Sequence, residues 1–166
     1  KYTIKSGSDM DRTVALYKMN AWSSDKSPGE YTKVKRSIKY KPRTLYEWGV
    51  FSINQMFKNS KANPDVSQWD TSGVENMFEL FRGASRADPD MSNWDFSSVT
   101  SVKDMFYGVT ISTYNYDTYL IRLDATAPNG LTANGGGSTY TSSGAGGSAR
   151  ASLIGKGWTI SDGGGI

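Results

Sequence analysis

The feature that most constrains the fold of this chain is an internal repeat. Residues 63–81 read "NPDVSQWDTSGVENMFELF", and residues 88–106 read "DPDMSNWDFSSVTSVKDMF", so the copies start 25 positions apart. Met56-Phe57 anticipates the end of the pattern 24 positions before Leu80-Phe81. One copy cannot bury an apolar face alone, whereas stacked copies cover each other. The sequence therefore predicts a repeat architecture.

The second half of each copy has apolar residues at the spacing i, i+3, i+6, i+7, which is typical of one face of a short helix. Asn59, Gly83 and Gly108 follow the terminal Phe by two positions. These residue types tolerate the left-handed conformation that ends a helix. The repeating apolar residues are therefore expected in the core. They are Val50, Ile53, Met56 and Phe57, then Val74, Met77, Leu80 and Phe81, then Val99, Val102, Met105 and Phe106.

The first half of each copy, residues 65–70 and 90–95, is predicted to be a short strand. Pro64 and Pro89 precede these segments, where a missing backbone donor is tolerated. One strand and one short helix every 24–25 residues lies in the leucine-rich-repeat range. The predicted fold class is α/β, a short leucine-rich-repeat-like solenoid. The residues expected to point inward from the strands are Val66, Met91, Trp69 and Trp94.

The flanks are expected to cap this solenoid, which is assigned to residues 49–110. Residues 1–48 are predicted to form a β-rich N-terminal cap or linker unit. Residues 111–166 are predicted to form a mixed C-terminal cap. Its expected parts are an amphipathic helix that carries Tyr116, Tyr119, Leu120 and Leu123, a Gly/Ser-rich loop over residues 134–149, a short helix over 149–154 and a last strand over 158–160.

The repeat resembles the BspA-like leucine-rich repeats of bacterial surface lipoproteins, which are also similar to repeats in phage-encoded and marine bacterial proteins. The residues that carry the resemblance are Met56-Phe57, residues 63–67, residues 69–72, Val74, Met77 and Leu80-Phe81. Segments 116–130 and 148–165 resemble the closing part of such proteins, so the resemblance covers residues 50–166. Ala62 and Ala87 stand where that family usually has an aromatic residue. The resemblance implies surface exposure and adhesion.

The composition argues against several kinds of catalysis. The chain contains neither His nor Cys, which excludes the Ser-His-Asp triad, Cys-His pairs and His-based zinc sites. We therefore predict that it is not an enzyme and has no cofactor or metal. Asp65, Asp70, Asp90 and Asp95 would stack in two ladders that could bind a cation or act as an acid/base pair. Acceptance of backbone N–H groups by these carboxylates is the favoured interpretation.

A basic stretch precedes the repeats. Residues 1–48 hold 11 Lys/Arg and 5 Asp/Glu, a balance of +6, and the stretch Lys33–Arg43 is the densest part. It could bind nucleic acid or anionic polysaccharide, although a solvated strand face explains it as well. A net charge of +3 is weak support for nucleic acid, so no nucleic-acid partner is expected. No apolar run has the length of a transmembrane segment.

Candidate binding residues follow from the differences between the copies, because solenoids bind ligands where repeats differ on a fixed frame. The positions beside the Trp-Asp segment hold Gln68 or Asn93, and Thr71 or Phe96. Phe96 is expected to be an exposed apolar residue. Tyr114 is expected to add an aromatic contact.

These features together predict a non-enzymatic binding module. The resemblance implies that the module is extracellular and contacts a host-surface protein or glycan. The resemblance implies the setting, which is a bacterial cell surface or a virion, for example a phage tail or fibre. The first alternative is a structural subunit that joins neighbouring subunits of an assembly without a ligand of its own. The second alternative is a carboxylate-based glycan hydrolase, which would require two acids with separated pKa values in a cleft.

Overall fold

The computed structural model of the protein describes residues 52–166. Its helices and strands, in chain order, are α1 (Thr113–Thr126), β1 (Thr132–Asn134), α2 (Ala145–Gly155) and β2 (Thr159–Ser161). Three of the sequence predictions lie outside the described residues. They concern the unit of residues 1–48, the basic stretch Lys33–Arg43 and Val50.

Backbone hydrogen bonds join the copies of the repeat into a stack. The N–H of Phe57 donates to the carbonyl of Leu80 at 2.9 Å, and the N–H of Phe81 donates to the carbonyl of Met105 at 3.0 Å. Alternate residues on both sides of each Phe donate in the same way. Parallel bridges connect Ser52 to Asn76 and Asn76 to Ser101. Each copy is thus hydrogen-bonded to the next through a column of peptide groups.

The short helix predicted for each copy is absent from residues 52–106, where consecutive turns take its place. Within a turn, the N–H of Leu80 donates to the carbonyl of Met77 at 3.2 Å. Glu79 has φ 52°, and the equivalent Gln55 and Asp104 each have φ 56°, so the backbone leaves the helical region at the same position in every copy. Alternate N–H groups bond to the neighbouring copy and cannot form the i→i−4 bonds of a helix.

The predicted strands over residues 65–70 and 90–95 are likewise absent, and both segments contain a turn. The cause is a side-chain hydrogen bond within each segment. The carboxylate of Asp65 accepts from the N–H of Ser67 at 3.2 Å, and that of Asp90 accepts from the N–H of Ser92 at 2.9 Å. Such local bonds compete with strand pairing for the backbone donors.

Aromatic rings run through the core along the direction of stacking. Phe57, Phe81 and Phe106 stack with centroids 5.3 and 5.5 Å apart. Trp69 and Trp94 form a second stacked pair at 6.0 Å. The prediction that the repeating apolar residues form the core is confirmed for all those within the described residues, since each has at most 2% of its surface exposed.

The C-terminal elements cover the third copy. The predicted helix is confirmed, since α1 buries Tyr116, Tyr119, Leu120 and Leu123. The short helix predicted over 149–154 lies within α2, which begins four residues earlier, and the strand predicted over 158–160 overlaps β2 at Thr159 and Ile160. β2 pairs in parallel with β1, and β1 is bridged to Val102 of the third copy. The predicted loop over residues 134–149 instead contains the start of α2 and the end of β1.

Helix α1 closes the column of Phe rings. Tyr119 meets Phe106 edge-on at a centroid distance of 5.4 Å. The N–H of Phe106 donates to the carbonyl of Asn134, which places Gly135 next to Phe106 in the stack. A side chain at Gly135 would collide with the Tyr116 hydroxyl, so the tyrosines of α1 occupy the space that another Phe would fill.

A buried polar network fixes the end of the chain against α1. The hydroxyl of Tyr116 donates to the carboxylate of Asp162 at 2.9 Å, and Arg150 donates to the same carboxylate oxygen at 2.8 Å. Burial, reinforced by the charge of Asp162, raises the pKa of Tyr116 far above its usual range, so the phenol stays protonated. The network connects α1, α2 and the segment after β2.

Candidate functional site

Two of the predicted contact residues are buried. Phe96 has no exposed surface, and its ring contacts Trp94 at 5.9 Å and Tyr119 at 5.8 Å between centroids. The prediction that Phe96 is exposed is therefore wrong. Thr71 is also buried, and its hydroxyl donates to the carbonyl of Asp95 and accepts from the Asp95 N–H, both at 2.8 Å. Both positions belong to the frame of the stack.

The other three predicted contact residues are exposed but lie in two different places. Gln68 and Asn93 occupy neighbouring copies, where the side-chain amide of Asn93 donates to the carbonyl of Ser67 at 3.2 Å. Tyr114 lies on α1 with 76% of its surface exposed. The structure therefore brings Gln68 and Asn93 together and places Tyr114 on a different element.

The aspartate ladders have the backbone role that the sequence favoured. Asp70 accepts from the N–H of Ser72 at 3.1 Å, and Asp95 accepts from the N–H of Ser97 at 2.8 Å. Asp65 and Asp90 accept in the same way at the start of each copy. Across residues 52–166, no three His, Cys, Asp or Glu residues are grouped closely enough to hold a metal ion.

The second half of each copy carries a different polar surface, here named the charged ridge. Its central residue is Glu79, whose side chain is 6% exposed. The carboxylate accepts from Lys58 Nζ at 2.6 Å, from Gln55 Nε2 at 2.8 Å and from the Arg82 guanidinium at 2.5 Å. The charged ridge consists of Lys58, Glu79, Arg82, Lys103, Asp104 and Tyr107.

The electrostatics of the ridge keep Glu79 ionised. The hydrogen bond from Lys58 is the main reason why the pKa of Glu79 lies below its ordinary value. Burial by itself would raise the pKa of Glu79. The hydrogen bonds from Lys58, Gln55 and Arg82 together lower the pKa by more than burial raises it. A carboxylate held in this state is an acceptor rather than a proton donor.

The cations of the ridge remain partly accessible to solvent. The side chains of Lys58 and Arg82 are 34% and 36% exposed. The guanidinium of Arg82 lies 4.5 Å from the centroid of the Tyr107 ring, and half of Tyr107 is exposed. This arrangement offers cationic donors and one aromatic face on the same surface.

Sequence reasoning missed the ridge, although a signal was present. Lys58, Arg82 and Tyr107 each follow the terminal Phe of a copy, so this position differs in all three copies. The search for differences considered only the Trp-Asp segment. Applied to the whole repeat, the same rule would have selected these three residues.

Comparison with known proteins gives one family. A family model described as "Mycoplasma protein of unknown function, DUF285" matches residues 35–122, which is 88 of the 166 residues. The chain belongs to the DUF285 family. No curated protein and no solved structure matches it.

The DUF285 match includes the whole charged ridge and ends within α1. β1, α2 and β2 follow the matched region. The family carries no assigned function, so the chemistry of the ridge has to be argued from its own residues. Neither α1 nor α2, the helices of the described region, is long and apolar enough to cross a membrane.

Proposed function

We propose that this DUF285 chain is a non-enzymatic extracellular binding module with a short BspA-like leucine-rich-repeat solenoid as its frame. It would act at a bacterial cell surface or on a virion and attach to a host-surface protein or glycan. The ladder of peptide hydrogen bonds between copies supports the solenoid. The stacked Phe and Trp rings support it further, because stacking is how solenoids bury their cores.

The observation that carries the proposal is the contrast between a constant frame and a varied ridge. The Phe position and the left-handed position recur in every copy. The intervening surface position changes from Lys58 to Arg82 to Tyr107. Repeat proteins use such variable positions on a fixed frame to contact partners.

The same surface favours binding over catalysis. Glu79 is the most buried carboxylate of the ridge, and three donors hold it ionised. A glycan hydrolase requires a second carboxyl group with a raised pKa to protonate the leaving group. The ridge instead resembles a contact surface in which charged and aromatic groups are held in place by their neighbours.

The experiment is an attachment assay with the full chain. Fluorescently labelled protein would be applied to intact bacterial cells and to a glycan array. We expect Tyr107→Ser to reduce attachment at least fivefold, whereas Tyr114→Ser, which removes an exposed tyrosine from α1, leaves it unchanged. Equal attachment by both variants, or attachment of the wild-type chain to no surface, would contradict the proposal.

A further inference from the structure

The described copies separate their charges into two halves of the repeat. Residues 62–78 contain no Lys or Arg, and neither do residues 87–102, whereas these two segments hold six Asp and Glu residues between them. The ridge residues lie in the other half of each copy. The stacked Phe rings come from the ridge half of each copy, and the stacked Trp rings come from the acidic half. The ring centroids of Phe57 and Trp69 lie 5.8 Å apart. The Lys and Arg residues of the described copies are therefore concentrated in the ridge half.

The backbone hydrogen bonds between successive copies align the cations of the ridge. Glu79 N–H donates to the carbonyl of Lys103 at 3.0 Å, and Gly83 N–H donates to that of Tyr107 at 2.9 Å. Lys58 and Arg82 share the carboxylate of Glu79. With layers about 4.8 Å apart, the ridge presents one or more cationic or aromatic groups in each of three successive layers.

We propose that the charged ridge binds a polyanionic polysaccharide, one that carries carboxylate or sulfate groups along its chain. This inference rests on the proposed function and names its ligand class. Lys58, Arg82 and Lys103 supply the donors for anionic groups. The half-exposed ring of Tyr107, which Arg82 covers from one side, supplies apolar surface for a sugar ring, as aromatic residues do at sites that are partly wet.

The carboxylates within the ridge favour a sugar chain over a nucleic acid. Glu79 and Asp104 interrupt the positive potential, which suits a chain whose anionic groups alternate with hydroxyl groups better than a phosphodiester backbone with a charge at every nucleotide. Single-stranded nucleic acids also require several aromatic platforms for successive bases. Sugar hydroxyl groups, in contrast, can donate to Asp104 and to the exposed amide side chains of Asn54 and Gln55.

The test measures the affinity of the full chain for four polymers by biolayer interferometry. The polymers are dextran sulfate, polygalacturonate, neutral dextran of matched length and an oligodeoxythymidylate. We expect binding to one or both anionic polysaccharides that weakens as salt is raised, and at least tenfold weaker binding to neutral dextran. Sulfated and carboxylated sources are distinguished by which of the two polysaccharides binds more tightly. Stronger binding to the oligonucleotide than to both of them would overturn the inference.

Variants then locate the site. Lys103→Gln and Tyr107→Ser keep all three residues that donate to the Glu79 carboxylate, which are Gln55, Lys58 and Arg82, and each variant is expected to weaken polyanion binding three- to tenfold. Lys35→Gln is the matched control, because it removes the same charge from the basic stretch Lys33–Arg43, and it is expected to change the affinity less than twofold. Equal losses for Lys103→Gln and Lys35→Gln would show that total charge decides binding and would refute a site at the ridge.

The failure of this inference can be told apart from failure of the proposed function. In one outcome, labelled chain attaches to cells and Tyr107→Ser abolishes attachment, but dextran sulfate and polygalacturonate neither bind nor compete. The proposed binding module is then supported, and the proposed ligand class is wrong. If the chain attaches to no surface, both are wrong. Circular dichroism of each variant confirms that losses do not arise from unfolding.

Discussion

Two buried tyrosines of α1 differ in whether their hydroxyl groups have a partner. The Tyr116 hydroxyl is bonded to Asp162. The Tyr119 hydroxyl is buried without a partner among the described residues, and its burial raises the pKa of Tyr119 above its usual range. A buried polar group without a hydrogen bond costs stability, whereas a satisfied one contributes to it.

The first prediction compares two Tyr→Phe substitutions. Tyr119→Phe removes an unsatisfied hydroxyl and should leave the free energy of unfolding unchanged or raise it by about 1 kcal/mol. Tyr116→Phe removes a bonded hydroxyl next to a buried carboxylate and should lower it by roughly 1–3 kcal/mol. Urea unfolding followed by tryptophan fluorescence measures both. A larger loss for Tyr119→Phe would mean that its hydroxyl has a partner.

The second prediction concerns acid stability and Glu79. Because the pKa of Glu79 is lower in the folded state, its ionised form stabilises folding above its ordinary pKa of 4.5, and this stabilisation is lost as the pH falls through the folded pKa. Unfolding midpoints in urea should therefore fall on acidification below about pH 4.5. Glu79→Gln should show a shallower acid dependence than Glu75→Gln, which alters an exposed carboxylate in the same copy. Identical pH profiles for the two variants would show that ionised Glu79 does not stabilise the folded state.

At the level of elements, the stack joins the C-terminal part through a close backbone approach. Gly136 has φ 61°, and a Cβ at this position would collide with the carbonyls of Phe106 and Val109. Gly108 has φ 72°, and a Cβ there would meet nothing within 4 Å. The two glycines thus share a left-handed conformation but differ in the space around them.

The third prediction uses this matched pair. Gly108→Ala should cost about 1–2 kcal/mol, which is the cost of the left-handed conformation alone. Gly136→Ala should cost roughly 1–3 kcal/mol more, because two backbone carbonyls must move. Thermal and urea unfolding report both values. Equal costs would mean that the third copy and the segment after β1 are not in close contact.

The turns within the copies show why the elements were harder to predict than the core. An i, i+3, i+6, i+7 spacing buries one face whether the backbone is helical or forms consecutive turns, so the buried set was right and the helices were wrong. The left-handed conformation at Gln55 and Glu79 has no signal in residue type, since Gln and Glu do not favour it, whereas Asp104 is of a type that occasionally adopts it. Asn59, Gly83 and Gly108 do favour it and were predicted.

For the whole molecule, the sequence predicted the stacked Phe and Trp rings of the core better than it predicted the binding site. Thr71 and Phe96 follow Trp69 and Trp94 by two positions, and side chains two apart share a face of an extended chain. The alternation of side chains between the two faces therefore indicated that Thr71 and Phe96 are buried like the Trp residues. The difference between Thr and Phe nevertheless suggested an exposed, variable position. The ridge combines an ion pair within one copy, between Arg82 and Glu79, with one between copies, between Lys58 and Glu79. The search for differing positions covered only the Trp-Asp segment and therefore did not reach these residues.

The partner is proposed to contact the charged ridge. The most direct measurement is a titration of ¹⁵N-labelled full chain with a short sulfated dextran oligomer, followed by amide chemical shifts. We expect the largest shifts at Lys58, Arg82 and Tyr107. Largest shifts at Gln68 and Asn93 in the acidic half, or within Lys33–Arg43 with none at the ridge, would refute binding at the ridge.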